Sequence, residues 1–152
     1  MTHAQKAAEL FCQGYNCAQA VFCAFCDEMN MDKNTALRLS SSFGGGMGRM
    51  REVCGAVSGM FMVAGMLFGE GTESDDAKKK AHYSLIQKMA ARFREKNGTI
   101  ICRDLLSGIA ADSLPTPSAR TEEYYKTRPC VRFVIDACDV MDEIISSKKD
   151  GE

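Results

Sequence analysis

Apolar residues recur every three to four positions through most of this chain, and the runs are broken by glycine, asparagine and proline rather than by hairpin turns. A 3.6-residue repeat gives a helix one buried face, and the alternating runs that would build strands are absent. The pattern predicts an all-α fold. A helix over residues 2–12 stops at Gly14, and a second over 16–29 carries Ala18, Val21, Phe22, Phe25 and Met29 as one stripe. Asp32 is a good N-cap for a third helix ending near Ser42. Phe43, Gly44, Gly45, Gly46, Met47 and Gly48 follow as a loop, and a central helix over 51–68 ends at Gly69.

Ser74 caps a long helix over 75–96. Asp75 and Asp76 lie in its first turn and Arg92, Arg94 and Lys96 in its last, as the helix dipole prefers, while Leu85, Ile86, Met89 and Phe93 face inward. Thr99 caps a short helix over 102–106. Residues 107–120, with Pro115 and Pro117, form the one long loop, and a helical turn is expected at 122–126. Pro129 suits the first position of a last helix reaching Ser146, with Cys130, Phe133, Val134, Ala137, Cys138, Met141 and Ile145 on one face. The expected architecture is one helical domain over 1–146, a bundle of about five main helices, with a polar tail at 147–152.

The chain has 152 residues, 45% hydrophobic and 26% charged, the balance of a globular domain able to bury its own core. Lys and Arg total 19 against 20 Asp and Glu, so no broad basic surface for nucleic acid is implied. The weakly polar run 53–69 is too short and too rich in glycine for a membrane span. The N-terminal residues lack an apolar signal region, so the expected compartment is the cytoplasm, where thiols stay reduced.

Against that background, 8 cysteines need an explanation. They are too sparse for a small disulfide scaffold. Four of them, Cys17, Cys54, Cys102 and Cys130, fall at predicted helix starts in four different segments, whereas Cys12, Cys23, Cys26 and Cys138 fall within helices or at their ends. Unsatisfied N–H groups and the dipole at a helix start favour a thiolate, the form that attacks disulfides and binds metal. Arg49 and Arg51 before Cys54, and Arg103 beside Cys102, add positive charge. The other four read as core-packing thiols. Cys23 and Cys26 form a CxxC, yet inside an apolar helix with no preceding strand. The four helix-start cysteines are tens of residues apart, so a shared site has to be assembled by the fold.

Gly44, Gly45, Gly46 and Gly48 permit positive φ and close backbone approach, which suits either tight packing or a ligand such as a bound cofactor. No Gly-Lys-Ser/Thr follows, so the loop is not a P-loop. Gly55 and Gly59 share a helix face and let another helix approach beside Cys54. His3 and His82 are the only histidines, and neither belongs to a hydrolase signature.

The segments Asn16-Cys17-Ala18-Gln19-Ala20-Val21, Phe43 to Gly48, Cys54-Gly55-Ala56-Val57-Ser58-Gly59, Cys102-Arg103-Asp104-Leu105-Leu106 and Cys130 together resemble the four-cysteine C_GCAxxG_C_C family of "putative redox-active" proteins. The order here is Cys-Gly-Ala rather than the Gly-Cys-Ala of the family label. The resemblance implies a small, mostly helical protein whose functional cysteines are Cys17, Cys54, Cys102 and Cys130, the set already singled out by position.

The leading expectation is a redox protein in which these four thiols converge. Either they ligate an iron–sulfur cluster or zinc, or they cycle between dithiol and disulfide. In the second case Cys54 is the expected attacking residue and Cys17 its partner. The alternative is a helical binding or assembly module with inert core thiols. The redox partner is unreadable from sequence, and the apolar helices leave homo-oligomerisation open.

Overall fold

A computed structural model describes residues 1–109 and 111–151 of the chain. Among these residues there are nine α-helices, one short 3-10 turn and no strand longer than an isolated bridge. The helices are α1 (His3–Cys12), α2 (Cys17–Ala24), α3 (Cys26–Met29), α4 (Lys33–Ser40), α5 (Gly55–Phe68), α6 (Asp76–Asn97), α7 (Cys102–Leu105), α8 (Glu122–Thr127) and α9 (Cys130–Lys149). None of the described helices is long and apolar enough to cross a membrane.

The core is the junction of α1, α2, α5, α6 and α9. Phe11, Phe22, Phe25, Met60, Met89 and Phe93 are fully enclosed there, with Val134 and Met141 of α9 closing it. Every member of the predicted stripe in residues 16–29 is buried. Close packing of α2 on α5 depends on two glycines. A Cβ at Gly55 would lie 3.1 Å from the Ala18 nitrogen and 3.2 Å from the Cys17 Cβ, and one at Gly59 would lie 3.0 Å from the Ala18 oxygen and Val21 Cβ. The predicted small-residue face thus brings Cys17 against the start of α5.

Several boundaries differ from the sequence reading, each for a local reason. The predicted helix 16–29 breaks at Phe25, whose φ of −103° and ψ of 15° end α2. Its ring is buried and stacks on His3 with centroids 4.0 Å apart, so tertiary packing overrides helical continuity. The third helix ends at Ser40 and continues as a 3-10 turn over Ser41–Phe43. Asp75, not Ser74, caps α6, its carboxylate accepting from the Lys78 N–H at 2.8 Å. Thr99 does not cap α7; its hydroxyl accepts from Ile101, and Ile101 holds the cap position. Pro129 is the N-cap of α9 rather than its first residue, and α9 runs on to Lys149, into the predicted tail. The last tail residue, Glu152, and position 110 of the predicted long loop lie outside the described residues.

The largest difference lies at residues 51–54, expected to be helical. This segment leaves the left-handed turn at Arg51, whose φ is 61°, and pairs with 100–103. Cys54 N–H donates to the Ile100 carbonyl at 2.8 Å, Cys102 N–H to Glu52 at 2.6 Å and Arg103 N–H to Arg51 at 3.1 Å, around a Val53–Ile101 bridge. A pairing this short has no periodicity to betray it. It nevertheless ties two cysteine-bearing segments together.

Candidate functional site

Each of the four cysteines singled out by position stands at a helix start. Cys17, Cys102 and Cys130 are the first residues of α2, α7 and α9, and Cys54 is the N-cap of α5. All four line one cavity of about 700 Å³, together with the glycine loop, Arg49, Arg51, Arg120, Tyr124 and Arg128. Cys12, Cys23, Cys26 and Cys138 lie outside it. Cys138 is sealed in the core, and Cys23 and Cys26 line a separate pocket.

Local chemistry explains how each sulfur is placed. Asn16 and Gln19 form a reciprocal cap for α2, the Asn16 side chain accepting from Gln19 N–H at 2.9 Å and the Gln19 side chain from Asn16 N–H at 3.1 Å. Their amide nitrogens then donate to Ser41 and Leu37 carbonyls, both at 3.1 Å, which clamps the Cys17 helix start onto α4 and the turn after it.

The glycine loop makes the opposite wall. Gly45, Gly46, Met47, Gly48 and Arg49 all have φ between 58° and 71°, a left-handed turn that costs a non-glycine residue about 1–2 kcal/mol. The turn is pinned by Arg49, Arg51 and Glu52 N–H groups donating to Gly44, Gly45 and Gly46 carbonyls. Space also demands glycine: a Cβ at Gly44 would sit 2.3 Å from Asn16, and one at Gly46 would sit 2.6 Å from the Cys102 Cβ and 2.8 Å from the Arg51 Cα. The loop therefore fits between the cap of Cys17 and the side chain of Cys102, and it turns Arg49 and Arg51 into the cavity.

Arg51 is buried. Its Nε donates to the Asp112 carbonyl at 2.9 Å and its Nη1 lies 3.7 Å from the Cys102 sulfur. It serves Cys102 rather than Cys54, as its sequence position suggested. Arg103, also expected beside a thiol, instead reaches outward to Glu52 at 3.8 Å. Arg49 holds the 112–118 segment through the Leu114 carbonyl, Asp112 and Ser118. Arg120 donates to the Phe11 and Tyr15 carbonyls, both at 3.0 Å, with its guanidinium 4.3 Å from the Phe11 ring centroid.

The thiols differ sharply in acidity. Burial pushes Cys54 up to about 12, although the Val57 and Ala56 N–H groups at the start of α5 pull the other way. The helix-start amides are present, as position predicted, but desolvation outweighs them. Burial also raises Cys102, against the opposing pull of Arg51. Cys130 moves the other way, from 9.0 down to about 7. The Cys17 thiol donates a hydrogen bond to it, which outweighs burial, and Arg128, the Tyr124 hydroxyl and Arg120 add to the effect. Cys17 is raised well above 9.0 by that same hydrogen bond, by burial and by the neighbouring sulfurs. The acidic thiol is thus Cys130, not Cys54. Tyr124, Arg120 and Arg128 were not picked out from sequence. Only the two-residue step from Arg128 to Cys130 offered a signal.

Four thiol donors would suit a soft metal or a cluster by their chemistry. Among the described residues, however, no three Cys, His, Asp or Glu side chains are gathered as a set that could hold one metal ion.

Fold and site together define an all-helical protein with a cysteine-lined, arginine-rich cavity. Residues 15–144 match the family described as "Putative redox-active protein (C_GCAxxG_C_C)", and the chain belongs to that family. No curated protein and no solved structure matches it.

Proposed function

We propose that the protein exchanges thiols with disulfides, with Cys130 as the attacking residue and Cys17 as its resolving partner. The observation that carries this reading is the placement of Cys17 and Cys130 on one cavity, with Cys130 at the start of a 20-residue helix beside Tyr124, Arg120 and Arg128 and its acidity raised by the neighbouring Cys17 thiol. The Cys130 thiolate attacks one sulfur of a substrate disulfide; that S–S bond breaks, one thiolate leaves and a mixed disulfide forms. Cys17 gives up its proton and attacks the Cys130 sulfur, releasing the second thiolate. The substrate gains two electrons and the protein is left with a Cys17–Cys130 disulfide. Because Cys17 lines the same cavity as Cys130, the second step is intramolecular.

Cys54 and Cys102 line the same cavity and form a second candidate pair. Gly44, Gly45, Gly46 and Gly48 act as the wall that holds Cys102 and Arg51 in place, in preference to direct contact with a cofactor. A single helical domain carries this chemistry, and the cytoplasm is the compartment that keeps the pair reduced.

The convergence of four sulfurs on one cavity favours a second reading, an iron–sulfur cluster or zinc. Anaerobic preparation separates the two. Thiol exchange predicts a colourless protein that takes up two oxidising equivalents and in which C17S accumulates a mixed disulfide at Cys130. Stoichiometric iron with sulfide, or zinc, shifts the assignment to metal. Uniformly slow thiol modification with no redox change supports inert core thiols instead.

A further inference from the structure

Thiol exchange alone leaves the substrate unspecified, but four arginines line the cavity against one neighbouring carboxylate, Asp112, which pairs with Arg49 at 3.3 Å. Arg49, Arg51, Arg120 and Arg128 all line it, and among its described lining residues there is no aspartate, glutamate or lysine. Arg49 and Arg120 spend their donors on carbonyls and side chains of the wall. Arg51 does not spend all of its own. It is 6% exposed, and its Nη2 is buried with no hydrogen-bond partner. An orphaned buried donor costs about 1–3 kcal/mol, more when it is charged, and an acceptor arriving with a ligand recovers that. The unpartnered Nη2 can donate a charge-assisted hydrogen bond to one carboxylate oxygen. The volume of about 700 Å³ suits an organic molecule of small-peptide size and far exceeds an inorganic ion.

We infer that the disulfide reduced at this site is a small molecule bearing carboxylates, with one carboxylate on Arg51 and the S–S bond facing Cys130 and Cys17. This rests on the thiol-exchange reading. The electron balance is the one given above: two electrons pass to the carboxylate-bearing disulfide and one intramolecular disulfide forms.

The test uses the reduced full-length chain without oxygen and three probes: glutathione disulfide, neutral bis(2-hydroxyethyl) disulfide and cationic cystamine. Each rate is divided by the rate of the same disulfide with 2-mercaptoethanol, which removes intrinsic reactivity. The normalised order expected is anionic over neutral over cationic, with a gap of about tenfold or more between the first two that narrows as salt is raised. R51Q is expected to reduce the anionic-to-neutral ratio about tenfold. Equal normalised rates in the unmodified protein overturn the inference, whether or not R51Q folds. Calorimetric binding of S-methylglutathione, which has the carboxylates but no disulfide, reads recognition alone. Binding that weakens in R51Q where exchange fails keeps a carboxylate site on Arg51 but overturns a reduced disulfide as its occupant, and thiol exchange is the reading lost. No binding at millimolar ligand, together with charge-blind exchange, overturns the inference and leaves thiol exchange standing.

Discussion

Removing the Cys17 thiol tests the acidity of Cys130 most directly. In the folded chain Cys130 sits at about 7 instead of 9.0, and the hydrogen bond from Cys17 is the largest cause. At pH 7 about half of Cys130 is then thiolate, against about 1% for an unshifted thiol, a gain of roughly fiftyfold in the reactive form. A more acidic thiolate is also a weaker nucleophile, by a factor of roughly eight for two pKa units at a Brønsted slope near 0.45. The net gain at pH 7 is about sixfold. Absolute rates are further lowered by burial, so the shape of the pH profile is the informative quantity. The assay is iodoacetamide labelling of the reduced protein between pH 5.5 and 10, read by mass spectrometry on the peptide containing Cys130. Unmodified protein should give a midpoint near 7. C17A should move it back toward 9.0, and C17S, which keeps a hydroxyl donor, should move it less. Y124F should have a smaller effect than C17A, since the Tyr124 hydroxyl contributes less than the Cys17 thiol. A midpoint near 9 in the unmodified protein, or one untouched by C17A, refutes this account of the pair.

Alkaline stability should follow the other buried thiols. Cys23 and Cys54 are held at about 12 by burial, and Cys138 is raised as well. The folded state keeps these protons where the unfolded chain loses them near pH 9. Stability is therefore present below 9 and lost as pH rises toward 12, by about 1.4 kcal/mol per pH unit for each thiol. Cys130 acts in the opposite sense, its share being lost as pH falls from 9 through 7. Urea midpoints at pH 8 and 10.5 measure the alkaline loss, and C138A should shrink it. Gly46→Ala should cost about 1–3 kcal/mol in thermal or urea unfolding, because φ is 71° and the clashes at 2.8 Å involve backbone atoms. Gly65→Ala, in the last turn of α5 with nothing within 4 Å, should instead stabilise by about 0.5–1 kcal/mol. An equal response of the two glycines would contradict the packing described for the loop. Arg120→Ala should destabilise by about 1–3 kcal/mol, since it removes the hydrogen bonds to the Phe11 and Tyr15 carbonyls, the first of which keeps the Gly14 N–H, and the stacked cation. It should also raise the Cys130 midpoint slightly, and a fall in that midpoint would count against the electrostatic picture.

The helical character of the chain was written in local periodicity. Ala18, Val21, Phe22, Phe25 and Met29 are spaced for one face of a helix and are all buried. The grouping of Cys17, Cys54, Cys102 and Cys130 was legible for a similar reason: caps, glycines and a proline mark helix starts within a few residues of each thiol. That a helix packs closely beside Cys54 could likewise be read from the four-residue spacing of Gly55 and Gly59, and the structure shows that helix to be α2.

Tertiary structure alone decided which thiol is acidic. Cys54 has the helix-start amides that its position promised, but the surrounding core removes more from its thiolate than those amides return. Cys130 gains its acidity from a neighbour more than a hundred positions earlier and from Tyr124 and the arginines, whose approach no local pattern encodes. The pairing of 51–54 with 100–103 was invisible for the same reason, being a contact between segments with no repeat of their own. Local propensity reports how a residue sits on its own helix. Acidity and ligand recognition depend on what the folded chain brings against that residue, and on the water it excludes in doing so.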